Sequence, residues 1–157
     1  MWEALENLSF IKTLGSTGWM YSTVAVTHYF SFFWCIGSVA VVDLRVMGIA
    51  ARKRNVSELA DQLFPWAWIA FALAIISGFF MFATDAGDWA PSPVFHVKLT
   101  LIALSAIVAY VVQRGAHKWA LNPEIPRAAK IIALISIVLW IVTILSASEI
   151  PALEGLG

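Results

Sequence analysis

At 157 residues, 61 % of them hydrophobic and only 13 % charged, the chain carries more apolar surface than a soluble domain of its size can bury. Its ten basic and ten acidic residues cancel to a net charge of zero, and no basic domain or aromatic RNA-binding motif supports nucleic-acid binding. A single cysteine, Cys35, excludes a disulfide framework, a Cys-x-x-Cys metal site and the Cys-x-x-Cys-His motif of covalent haem attachment.

Residues 1–17 open the chain with Trp2, Leu5, Leu8, Ile11 and Leu14 at three-residue intervals. That pattern predicts a short amphipathic helix on a membrane surface. Glu3 and Glu6, the missing basic n-region and the missing small-residue cleavage site argue against a signal peptide. Four segments without Asp, Glu, Lys or Arg follow: 13–42, 62–84, 99–112 (extended back through Val94) and 131–148. At about 1.5 Å per residue each can cross a hydrocarbon core of about 30 Å, with flanking residues snorkelling. The spans are predicted at about 19–50, 60–84, 94–117 and 127–148, without strand alternation. Pro91 and Pro93 punctuate the start of the third span, Pro123 and Pro126 that of the fourth. Short connections then give an all-α integral membrane protein, one up-down-up-down four-helix bundle over residues 1–157, with helices one and three on a diagonal.

The basic residues orient it. Arg45, Arg52, Lys53 and Arg54 follow the first span, and Arg114, Lys118, Arg127 and Lys130 follow the third. Both basic loops are expected in the cytoplasm and both termini outside. The other side is acidic, with Glu3, Glu6, Asp85, Asp88, Glu149 and Glu154.

Histidine inside a span is a functional question. His28 lies 17 residues before Arg45, and His96 lies 18 residues before Arg114. Both are expected about 25–27 Å from the cytoplasmic edge, in the outer leaflet. Two histidines at matched depth on diagonal helices suit the two axial positions of one haem b, held without covalent attachment. Singly, each has a plainer reading: His28 as a neutral imidazole bonded to a hydroxyl or carbonyl, His96 as an interfacial residue touching water. His117 lies at the cytoplasmic edge without a histidine partner, a surface residue unless an oligomer makes it a ligand.

Small residues surround the pair. Ser31, Cys35, Ser38 and Val42 continue the face of His28; Ala70, Ala74 and Gly78 share a face of the second span, and Thr100 and Ala103 follow His96. Such stripes serve close helix packing, or leave room for a flat macrocycle. In the haem reading Ser31 and Gly78 border the ring, and Lys98 is the cation for its propionates. Phe30, Phe32, Phe33 and Trp34 keep the site dry, though helical geometry turns at least two of them to lipid. Bis-histidine ligation leaves no open iron position, which suits electron transfer with a redox partner or a quinone. Met81 is the one soft ligand near that depth for copper. Asp43-Leu44-Arg45 reads as a clamp to a neighbouring helix or to the basic loop, and no Asp, Glu, Lys or Arg is expected buried within the spans.

His28 with Gly37-Ser38, Asp43-Leu44-Arg45 and Gly48, and the Phe95-His96-Val97-Lys98-Leu99 stretch, resemble a small, uncharacterised bacterial four-helix membrane family. It is similar to copper-resistance D-type proteins and, more distantly, to four-helix membrane cytochromes b. The resemblance covers most of the chain through short motifs. It implies a multi-pass protein of the bacterial inner membrane, haem-binding, with His28 and His96 as ligands. Four core histidines of the classical di-haem cytochromes are missing, and only a homodimer would bring two haems together. The alternative is a non-redox membrane module: a copper-handling or small-solute permease subunit, or a structural partner of a larger complex.

Overall fold

Lipid offers the backbone no hydrogen-bond partner, so apolar runs of this length must satisfy themselves as helices. The structure, a computed structural model, describes residues 2–122 and 124–154, the side chains of residues 147–154 excepted. Pro123 and the side chains of Glu149 and Glu154, named above, thus lie outside the described residues. The described residues form α1 (Trp2–Glu6), α2 (Ser9–Ser16), α3 (Gly18–Val46), α4 (Val56–Thr84), α5 (Ala86–Trp89), α6 (Pro93–Ala120) and α7 (Arg127–Glu154), with no strand among them. Four of these helices, α3, α4, α6 and α7, are long and apolar enough to cross a membrane.

Local chemistry sets their ends. At the end of α3, Gly48 takes φ +78° beyond the cap residue Met47. Its N–H reaches the Arg45 carbonyl at 3.1 Å and that of Ile49 reaches Leu44 at 2.9 Å, which is a Schellman stop needing a residue free of Cβ strain. Asn55 then caps α4 by accepting from the Ser57 N–H at 2.9 Å. Pro93 occupies the first turn of α6, where its missing N–H costs nothing, and Pro126 precedes α7. Pro65 lies inside α4 without ending it.

The long helices pair as two hairpins. α3 packs along α4 and α6 along α7; sparser contacts of α3 with α7 and of α4 with α6 close the ring, leaving α3 and α6 diagonal. The core is densest toward the basic end, where Val39, Val42, Val46, Leu59, Phe64 and Val112 are buried among alanines of α4, α6 and α7. At the opposite, acidic end α6 stands looser. No residue from Pro93 to Leu104 is buried, whereas Ser105, Ala109, Val112 and Ala116 are.

The N-terminal segment differs from one continuous surface helix. Leu8 is extended, at φ −61° and ψ 132°, and splits it into α1 and α2. These two helices pack on the acidic end of α3–α4 and on α5: Ile11 and Leu14 are buried, and Trp2 meets Phe82 edge-on at 5.7 Å. Glu6 Oε1 accepts from the Gly87 N–H at 2.6 Å, tying α1 to α5.

Candidate functional site

Half-buried on α3, His28 turns onto α4. Its Nδ1 lies 2.8 Å from the Ala74 carbonyl oxygen. A carbonyl can only accept, so Nδ1 carries the proton and a neutral ring keeps Nε2 bare. Ser77 Oγ stands 3.4 Å from the same nitrogen and donates to the Leu73 carbonyl at 2.6 Å. The ring lies against Gly78, where an added Cβ would meet His28 Cε1 at 2.9 Å. Phe32 is parallel to the imidazole, with centroids 6.3 Å apart. This is the plainer reading of His28, a neutral imidazole satisfied by a carbonyl, and it also presents a fixed, unprotonated nitrogen.

Lys98 approaches from α6. Half-buried, it lies within electrostatic reach of His28. Ser31, one turn along from His28, is buried. Of the four residues, Ser31 is buried and His28, Gly78 and Lys98 are half-buried, all in the half of the bundle away from the basic end.

His96 does not join them. It is exposed, and its Nδ1 donates to the Ser92 carbonyl of its own helix at 2.8 Å. At about 100° per residue it stands about half a turn from Ser105, which marks the buried stripe of α6. Thr100 and Ala103, on its face, are exposed too, so the small residues following His96 line the outside of the helix. The diagonal of helices one and three is present, but the structure does not bring the two histidines together. Where a haem is concerned, His28 offers one unprotonated imidazole nitrogen, and His96 in this orientation does not supply a second.

The remaining sites resolve differently. His117 Nε2 lies 3.2 Å from Asp61 Oδ1, both side chains exposed at the basic end. Among the described residues no group of three or more His, Cys, Asp or Glu gathers as a metal site. Phe30, Phe33 and Trp34 are exposed along the apolar flank and Phe32 is partly buried, so three of the four aromatics face outward. Arg45 clamps the basic loop as expected, its Nε donating to the Arg54 carbonyl at 2.6 Å. Asp43 overturns the expectation for its half of the motif and for the spans: it is fully buried in the bundle, with neither carboxyl oxygen hydrogen-bonded.

These features define a four-helix membrane protein with ionisable groups at two depths of its interior. The chain belongs to DUF6644, a family of unknown function, which it matches over residues 2–150. No curated protein and no solved structure matches it.

Proposed function

We propose that the chain is a membrane-bound b-type haem protein of the bacterial inner membrane, with both termini outside and His28 as the iron ligand in the outer leaflet. One observation carries this reading: the Ala74 carbonyl holds Nδ1 of His28 at 2.8 Å and so fixes Nε2 bare and oriented. Metal-ligating histidines are set by the same kind of second bond. Half-buried Lys98 on α6 would be the cation for a propionate, and Ser31 and Gly78 add little bulk. When bound, haem b would supply one-electron chemistry. Phe32 and the apolar walls keep water from that face, and Lys98 offsets the charge of a carboxylate brought into lipid. His96 would complete the ligation only from a different orientation of the first turn of α6, or from a second copy of the chain.

A reduced-minus-oxidised spectrum of protein purified from haem-replete cells tests this. Soret and α bands are expected, and a His28→Ala variant should lose them. Absence of both bands from the wild-type protein would sink the class, while a His28→Ala protein with its full haem content would remove only the ligand assignment.

The second reading, a non-redox membrane module, is favoured by the packing of the His28 ring directly on Gly78 and by the outward-facing His96. It predicts colourless protein. In its copper-handling form, bound metal would fall on substitution of Met81 or His96; in its permease-subunit or structural-partner form, no metal would co-purify.

A further inference from the structure

Asp43 is fully buried in the inner half of the bundle, and both its carboxyl oxygens lack a hydrogen-bond partner. Ser136 of α7 is the polar side chain that neighbours the carboxyl, and its own Oγ is buried and without a hydrogen bond of good geometry. One turn outward on the same face of α7, Trp140 Nε1 is buried without an acceptor. A further turn out, Thr143 Oγ1 lies 3.2 Å from Ser105 Oγ of α6, both fully buried. Polar groups thus climb one face of α7 from Asp43 toward the outer half.

A carboxylate in such a place requires a cation or several donors. The charged groups on the surrounding elements are engaged or turned away. On its own helix Arg45 donates to the Arg54 carbonyl. From α4, Asp61 faces His117 of α6, and Glu58 is exposed. On α6, Arg114 donates to the Tyr110 hydroxyl at 2.8 Å and Lys118 is exposed; on α7, Arg127 and Lys130 are exposed. With no cation in reach among the described residues, a proton on the carboxyl removes its charge, and a small turn of the neighbouring Ser136 hydroxyl can meet the acid group. An opening lies one turn along the helix, although Asp43 itself does not line it. Val46, one turn toward the basic end, lines a cleft of about 440 Å³ together with Arg45, Asn55, Trp119 and Lys130. Asn55 and Lys130 are exposed, so the cleft opens at the basic end of the bundle.

We propose that Asp43 is an intramembrane proton-binding site, exchanging with water on the basic side through this cleft. In the loaded state it is a neutral carboxylic acid. On release its O–H bond breaks, the proton passes to a water molecule in the cleft as hydronium, and the carboxylate left behind takes a hydrogen bond from the Ser136 hydroxyl. Reloading reverses each step. The site stands apart from the haem reading, and its test needs no haem.

Infrared difference spectroscopy on the full chain in lipid, isotope-labelled at the aspartate carboxyl carbon, reads the site directly. The other aspartates, Asp61, Asp85 and Asp88, are exposed, so a protonated aspartate band at neutral pH belongs to Asp43. The expected result is an isotope-sensitive acid C=O band that moves in heavy water, gives way to carboxylate bands at high pH and is lost in Asp43→Asn. Ser136→Ala should keep the band and shift its frequency. In vesicles of one orientation, the band should follow a pH step on the basic side and ignore one on the other. A wild-type spectrum without the acid band overturns the proposal, whether or not Asp43→Asn folds. So does a band that survives Asp43→Asn, and so does one that responds only to a pH step on the side opposite the basic loops.

Discussion

The imidazole of His28 is held by two different things: a hydrogen bond to the Ala74 carbonyl, and the lack of a side chain at Gly78. The second is testable without touching the histidine. In Gly78→Ala the new Cβ would lie 2.9 Å from Cε1 and 3.1 Å from Nδ1, so the ring or the helix must shift. Overpacking of this kind costs about 1–3 kcal/mol, which thermal unfolding in detergent would show as a lowered transition. Gly78→Ser should do the same, whereas Gly37→Ala, which meets nothing within 4 Å, should leave the transition in place. At this scale the sequence disclosed His28, its stripe of small residues and the facing Ala74 and Gly78. It did not disclose Asp43. Two positions along a helix turn a side chain by about 200°, so Arg45 leaves toward the basic loop while Asp43 turns into the core. Read as neighbours in a line, the two charges looked like one clamp; on the helix they face opposite ways.

The same rotation decides which face of α6 is inside. His96, Thr100 and Ala103 form one face, and Lys98, Ile102 and Ser105 form another; both contain small or polar residues, so composition alone favours neither. In water a lysine would mark the exposed side. In lipid that rule fails, because an ionisable group gains by lying among other polar groups in the bundle, and Lys98 is half-buried while His96 is exposed. Helix existence and the diagonal of α3 and α6 were therefore legible, and the rotation of α6 about its axis was not. The helix ends were readable where caps mark them, as at Asn55. The split of the N-terminal segment was not, since its apolar spacing runs through the break at Leu8. Contact of this segment with α5 rests on the bond from the Gly87 N–H to Glu6. Glu6→Ala removes a charge-assisted hydrogen bond at a partly exposed site and should loosen α1 by about 1 kcal/mol. Faster hydrogen exchange at Gly87 and in α1, with α4 and α7 unchanged, is the expected readout.

At the scale of the whole molecule, orientation in the membrane sets what the two interior sites can reach. Eight of ten basic residues lie in or beside the two connections that follow α3 and α6, and both connections should stay in the cytoplasm. On that assignment His28 and Lys98 belong to the outer leaflet, and the cleft beside Val46 opens to the cytoplasm. The acid at Asp43 and the imidazole at His28 are then 15 residues apart on one helix, about 22 Å, with the polar ladder of α7 occupying part of the depth between them. The assignment can be checked with cysteines, because native Cys35 is buried and should not react with an impermeant maleimide. In a Cys35→Ala background, Asp88→Cys should label in intact spheroplasts, and Lys53→Cys only after lysis. The reverse pattern would put the basic loops outside and His28 in the inner leaflet. Proton exchange at Asp43 would then draw on the outer aqueous phase, so the labelling result also fixes which side of the membrane the infrared pH step must address.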